Sequence, residues 1–394
     1  MSGWLELALR YIAFHRWKTA LMVLAIFLTT LLPMAVRLLL NEFERSLLAR
    51  AKATPLVVGP KGSGLDLTLH AIHFRTPPKD NLRYGECLEI QESGRALAIP
   101  LFQRFTAAKF PVVGTSIEYL EFRRLKFKIG RSFALLGECV LGSEVARQLQ
   151  LAPDNQLLTD RENVLDIAGL YPLKLQIVGV LEPTGSADDR AVFVDLRTAW
   201  VVAGLGHGHQ DLASETDEGK ILARSDEKII ASAAVLPYTE ITDANRDSFH
   251  FHGSESEFPI TAIIAVPPDQ RASDLLTADY VVASQTAQIL SPRQTIEELL
   301  SVVFRVQQFF DANAVLVFIA TGLLLILVVL LSLKLRADEM RTMFKLGCSR
   351  GTIGLLQSGE LVIVFLLAGL LLAAALSLLH IFAGPLLDWL LLGR

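Results

Sequence analysis

Thr19–Val36 reads TALMVLAIFLTTLLPMAV, and it has two counterparts much later in the chain, VLVFIATGLLLILVVLLSL at Val315–Leu333 and LVIVFLLAGLLLAAALSLL at Leu361–Leu379. Each run is long enough, as a helix, to cross a hydrocarbon core about 30 Å thick. Between the first and the second lies Asn41–Asp311, a long and largely polar interruption. One span, a large domain and then two closely spaced spans is not the layout of a pore or a secondary carrier. It suits a device that joins a domain on one side of a membrane to something acting on the other. The fold expected is an α+β membrane protein with three spans, extended stalk helices and a large α/β extracytoplasmic domain.

Composition agrees with this reading. The chain has 394 residues, 52% of them hydrophobic, and its mean hydropathy is +0.42. It is too apolar for an ordinary globular protein and too polar to be all membrane. The net charge is −4 and no basic tract is present, so nucleic acid is not an expected partner. Cys87, Cys139 and Cys348 form no ligand-spaced set. Cys87 and Cys139 share the outer segment, where they either pair or lie as two separate buried thiols.

The first span is not read as a cleaved signal, because its apolar core exceeds roughly 15 residues and no small-x-small site follows it. Charges flank it on both sides and do not orient it. The short connection after the second span does, since Lys334, Arg336, Arg341, Lys345 and Arg350 crowd into it. Short basic loops stay cytoplasmic, whereas long domains translocate largely regardless of charge. The boundaries expected are a cytoplasmic amphipathic helix at 1–18, spans at 19–40, 313–335 and 360–380, an outer domain at 41–312, a cytoplasmic loop at 336–359 and a tail at 381–394. Gly384-Pro385 is expected to break the last helix, leaving a tail too short to cross and a C-terminus outside.

No Gly or Pro interrupts Ala35–Ala53, and Ser291-Pro292-Arg293-Gln294 reads as a capped helix start. A helix from Pro292 to about Leu335 would be roughly 65 Å long, twice the hydrocarbon thickness, so its outer part is expected to form a stalk. Within the outer domain, strands are expected at Pro55–Gly59, Ala96–Leu101, Pro111–Gly114, Leu173–Val180, Ala191–Val194 and Ile260–Val266. A short helix is expected at Ser143–Leu151, capped by Ser143. The turn-rich stretch 110–180 reads as a β-rich subdomain of its own, and the acidic Gly204–Glu257 as a flexible insertion.

Several of these stretches resemble a known family. Gly142-Ser143-Glu144-Val145-Ala146-Arg147 followed by Leu175-Gln176-Ile177-Val178-Gly179-Val180-Leu181 is similar to the outer-domain pattern of MacB-like and FtsX-like ABC transporter permeases. Glu339 to Arg350, EMRTMFKLGCSR, resembles their cytoplasmic loop, and Glu360 matches a further position. Leu56 to Ser63, LVVGPKGS, is similar to a signature in a subset of them. The resemblance implies a permease subunit in the bacterial inner membrane, working with two separate ABC ATPase subunits that hold ATP and magnesium. A second permease copy or a distinct permease completes the pair, and a periplasmic adaptor or a lipoprotein is a further expected partner. Such a permease passes the movement of its cytoplasmic loop to the outer domain, for export or for release of lipophilic, lipoprotein or peptide-like cargo. The family normally has a fourth span, and three are read here.

The residues expected to contact the ATPase are Glu339, Met340, Met343, Phe344, Lys345, Leu346, Gly347 and Arg350, with Met343 and Phe344 exposed on a short helix ended by Gly347. Read from charge alone, the same loop is a solvated basic turn that only sets topology. Lys61-Gly62-Ser63 does not complete a phosphate-binding loop, and Gly142-Ser143-Glu144 is not a nucleophile elbow. No intrinsic enzyme is expected, and no catalytic residue or cofactor is assigned beyond zinc. For zinc the candidates are His207, His209, His250 and His252, because H-x-H in extended chain puts both rings on one face. His70 and His73 are read as polar residues without a site role. Two further functions stay open: a mechanical regulator of an extracytoplasmic enzyme, as FtsX-like proteins are, or a metal-responsive sensor.

Overall fold

The computed structural model describes residues 10, 12–161, 172–208, 221–225, 228–231, 239–335, 337–347 and 349–392. Most of the expected amphipathic helix at 1–18 therefore lies outside the described residues. The chain divides into two compact units, one made of Met1–Ala49 with Glu298–Arg394 and one of Arg50–Glu297.

The Arg50–Glu297 unit is built on a mixed 12-stranded sheet. Its main path runs Thr239–Glu240, Leu173–Leu181, Glu138–Leu141, Val192–Asp195, Phe110–Thr115, Leu97–Phe102, Ala262–Val266, Leu56–Pro60, Ala287–Leu290. All six strands expected from the sequence are present. Leu173–Leu181 shows why they were legible: Leu173, Leu175 and Ile177 are buried while Lys174, Gln176 and Val178 between them are half-buried, the period-2 alternation of a strand with one face inward. Helices Gly64–His73, Tyr84–Glu92 and Leu196–Val202 pack on this sheet and bury Ile72, Ile90 and Trp200.

Three expectations for this unit are corrected. The stretch 110–180 is not a subdomain of its own. Phe110–Thr115 pairs with Leu97–Phe102 on one side and Val192–Asp195 on the other, and Cys139, Leu141 and Ile177 share one hydrophobic core with Leu56, Val58 and Ile263. An edge along 110–180 would leave backbone groups unpaired, and pairing across the whole sheet removes it. The second correction is the cap at 143. Gly142 is the N-cap of the helix Ser143–Leu149. A Cβ at 142 would lie 2.3 Å from the carbonyl oxygen of Asp188 and 2.4 Å from that of Asp189, so the close approach of two backbones requires glycine there. The third is Gly204–Glu257, whose described parts hold ordered elements: Gly206–Gly208 pairs with Phe249–Phe251, and Ile221–Ser225 with Lys228–Ala231. Cys87 and Cys139 are both buried free thiols.

The other unit is helical. Among the described residues, three helices are long and apolar enough to cross a membrane, in candidate segments Arg16–Lys52, Pro292–Leu331 and Ser358–Phe382. Met22, Val23, Val364 and Ala368 are buried where these helices meet, with Ile26, Leu325, Val328, Val329 and Leu361 packed around them. Small Ala368 in the contact allows close approach, as helix packing in an apolar solvent favours. The second helix runs from Pro292 to Leu335, 44 residues, with the bounds expected from its cap signal and the absence of breakers. The third differs from expectation at both ends. It is one 43-residue helix, Arg350–Leu392, starting ten residues earlier than read and passing through Gly384-Pro385. A glycine before a proline lacks the Cβ that disfavours helical backbone at that position.

Candidate functional site

The short helix Ala337–Lys345 stands between the second and third long helices and holds Glu339, Met340, Met343, Phe344 and Lys345. Leu346 follows in a turn, Gly347 ends it at φ 96°, and Arg350 is the first residue of the next helix. That positive φ is the left-handed C-terminal stop for which glycine is favoured. The Leu346 and Gly347 N–H groups donate to the carbonyls of Thr342 and Phe344 at 3.0 and 3.1 Å. Met343 is corrected: it is half-buried like Met340, since residues three apart share one face. Phe344 and Leu346 are the outward apolar side chains, 53% and 81% exposed.

The zinc candidates are partly brought together. His207 stands opposite His250 across an antiparallel pair, and His252 lies two residues on. The ring centroids are 4.7 Å apart for His207–His250, 5.0 Å for His207–His252 and 4.8 Å for His250–His252. His209 lies outside the described residues. His70 and His73 do not join the group. His70 is buried, with Nδ1 2.9 Å from the Arg75 carbonyl oxygen and Nε2 2.8 Å from Thr261 Oγ1.

Sequence reading missed a buried polar network in the Arg50–Glu297 unit. The Arg50 guanidinium donates to both carboxylate oxygens of Asp188, at 2.6 and 2.8 Å, and to the Tyr119 hydroxyl at 2.9 Å. Tyr119 in turn donates to Asp188 Oδ1 at 2.7 Å. Burial alone would raise the Asp188 carboxyl, but the Arg50 charge and the Arg50 and Tyr119 hydrogen bonds outweigh it and hold it below the usual carboxylate range. Burial pushes Tyr119 upward. Gly142 packs against this same turn and so supports the loop that carries Asp188. Local pattern held no signal for the network, since Arg50 and Asp188 are 138 residues apart.

Burial also pushes His70 and His73 down to about 4. A histidine kept neutral in the fold contributes stability that is complete above its unfolded value, near 6.5, and is lost as pH falls toward 4. Between those limits His70 is expected to account for about 3 kcal/mol. Denaturant unfolding of the purified chain in detergent, at pH 7 and pH 4.5, checks this: His70→Gln should flatten the slope, and an unchanged slope refutes it.

Ion pairs between different long helices mark the helical unit. Lys18 Nζ lies 3.2 Å from Glu360 Oε1, with the Glu360 side chain 11% exposed. Charged groups within membrane helices are costly unless paired, which explains an acidic residue at the start of the third apolar run. Arg37 donates from Nε to Asp311 Oδ1 at 3.2 Å and from Nη2 to Oδ2 at 2.9 Å. Beside this pair an open cleft of about 520 Å³ is lined by Arg37, Asn41, Phe304, Gln307, Gln308 and Asp311.

Residues 19–235, more than half of the chain, match the family model described as MacB-like periplasmic core domain. Among solved structures, the chain is similar to the periplasmic region of MacB from Actinobacillus actinomycetemcomitans, at 11% identity and a TM-score of 0.38, covering 65% of this chain and 97% of that one. It is also similar to the extracellular domain of the noncanonic ABC-type transporter YknZ from Gram-positive bacteria, at 9% identity and a TM-score of 0.32, covering 60% of this chain and 99% of that one. No curated protein matches the chain by sequence.

Proposed function

Because the chain belongs to the MacB-like periplasmic core domain family, that of MacB/FtsX-like ABC transporter permeases, we propose that it is a non-catalytic permease subunit driven by ATPase subunits bound in trans. The observation that carries this reading is the short helix Ala337–Lys345 with Phe344 and Leu346 exposed between two membrane-length helices. Two apolar side chains exposed close together on a basic loop suit a partner's cleft. Paired ATPases that close on ATP would move this helix, and the continuous helices Arg16–Lys52 and Pro292–Leu335 would carry the displacement outward as stalks. A helix transmits displacement along its axis because every turn is bonded to the next. The outer domain then acts on lipophilic, lipoprotein or peptide-like cargo, for export or release.

Three spans, an inside loop at Ala337–Lys345 and an outer domain at Arg50–Glu297 belong to the same proposal. The size of that domain favours transport over regulation of an outer enzyme. The test is recovery of the tagged full chain from its own membranes in mild detergent. An ABC ATPase should accompany it, with two ATPase copies per pair of permeases. Recovery of the chain with no ATPase, under conditions where the outer unit remains folded, would overturn the reading.

A further inference from the structure

We propose that His207, His250 and His252 form a binding site for a divalent transition cation, zinc in the first place, on the outer domain. The placement is built by the sheet. Gly206–Gly208 and Phe249–Phe251 pair antiparallel with His207 directly opposite His250, and His252 follows on the same side as His250 because side chains two apart share a face. The residue between them is held on the opposite side. The Phe251 ring lies 6.4 Å from that of buried Trp200 and 5.9 Å from that of Phe258, with the Arg197 guanidinium 5.6 Å from its centroid. A Cβ on Gly206 would come within 2.5 Å of the Phe251 ring, so glycine lets the ring seat against the neighbouring strand. With Phe251 anchored in the core, the histidines are turned outward: His207 and His252 exposed, His250 half-buried.

The distances suit a metal. One ligand nitrogen from each ring lies within 4.8 Å of the others. Tetrahedral zinc with nitrogen about 2.0–2.1 Å away would set those atoms roughly 3.4 Å apart, a closure that rotation of exposed side chains supplies without moving backbone. A second observation points the same way. His250 Nδ1 lies 3.0 Å from the carbonyl oxygen of Ser248, and a carbonyl only accepts, so Nδ1 is the donor in this bond; in a neutral imidazole Nε2 is then the nitrogen that can ligate. Metal-binding histidines are oriented by such a bond from the other ring nitrogen. Ser248 is itself fixed, its N–H donating to the Asn245 carbonyl at 3.0 Å and its hydroxyl to the same carbonyl at 2.6 Å.

Three imidazoles select a borderline cation such as Zn²⁺, Co²⁺, Ni²⁺ or Cu²⁺, and disfavour Mg²⁺ and Ca²⁺, which take oxygen. Three protein ligands leave a fourth position for water or another donor. A bound ion would cross-link the strands on either side of residues 209–248 and close that long connection at its base, where loop-closure entropy opposes pairing. The site stands apart from the ATPase reading, and failure of either leaves the other intact.

The test uses the full chain in detergent, purified without a histidine tag, stripped with a chelator, loaded with zinc chloride and desalted. Elemental analysis should find about one Zn²⁺ per chain, and Co²⁺ loading should give the visible absorption of a nitrogen-rich low-coordinate site. His207→Asn with His250→Asn should lower the zinc content at least fivefold. Both side chains point outward, so near-ultraviolet circular dichroism of the metal-free double variant should match that of the metal-free parent. If that spectrum is lost, the His252→Asn variant, which changes a residue outside the strand pair, decides in its place. Zinc absent from the parent chain, or retained undiminished by a folded variant, overturns the site.

Discussion

Replacing Phe344 and Leu346 together by Asp is expected to abolish recovery of the ATPase with the chain, while insertion of the chain in the membrane is unchanged. Both side chains are exposed in the isolated subunit, so the change costs its own fold little. Each would bury an apolar side chain in a partner's cleft, an effect of about 1.5–3 kcal/mol apiece. Losing both weakens binding by roughly 10²–10⁴-fold, since each 1.4 kcal/mol is a factor of ten. Introducing two carboxylates weakens it further. Met343 is not included, because it is half-buried and its replacement would confound binding with folding. Undiminished ATPase in the pull-down would leave the helix Ala337–Lys345 with no role beyond topology.

Arg50→Ala should be the most destabilising single change in the outer unit. It leaves the Asp188 carboxylate, 2% exposed, without its bidentate partner. Breaking one side of a buried pair typically costs about 3–5 kcal/mol, because the remaining charge stays desolvated. For a unit of this size that is roughly a 6–20 °C loss in Tm. Ser186→Ala leaves the ion pair whole but removes a hydroxyl that accepts from Arg50 at 3.0 Å and from the Asp188 N–H at 3.3 Å and donates to the Asp188 carboxylate at 3.0 Å, and should cost about 1–2 kcal/mol. Joint replacement, Arg50→Met with Asp188→Leu, should recover much of the loss, since it removes both members of the buried pair. Calorimetry of the full chain in detergent decides. An Arg50→Ala variant as stable as the parent would mean that water reaches Asp188 and that the network is not closed.

What was legible in the sequence followed from local physics. The three apolar runs, the six expected strands and the helix from Pro292 each announce themselves within a window of their own length. The helix Gln270–Ala283 had a readable start that was overlooked: Asp269 follows Pro267-Pro268, and its carboxylate accepts from the Ala272 N–H at 2.7 Å. Glu138–Leu141 was not readable. All four of its residues are buried, so it has no alternation, and its acidic residue is tolerated because Arg131 pairs with it and the Ala134 and Leu135 N–H groups donate to it.

The histidine group was half legible. The H-x-H spacing places His250 with His252, but only the antiparallel register brings His207 across to them. The break read at Gly384-Pro385 failed for a different reason. The rule that a proline ends a helix is weakest where glycine precedes it, because the clash with the preceding Cβ is then absent.

The pair Arg37–Asp311 has a consequence for how the first two long helices can slide. Were they to slide, it would act as a detent. One turn of helix is about 5.4 Å, and one turn along from Asp311 the second helix offers Gln307 and Gln308 in one direction and Val315 in the other. A slip one way would exchange a carboxylate for amides that still accept from the guanidinium. A slip the other way would set it against an isopropyl group that cannot. The Arg37 side chain is 59% exposed, so the catch itself holds with less than about 1 kcal/mol. If the two helices did slide, Arg37 would therefore meet amides in one direction and an apolar side chain in the other.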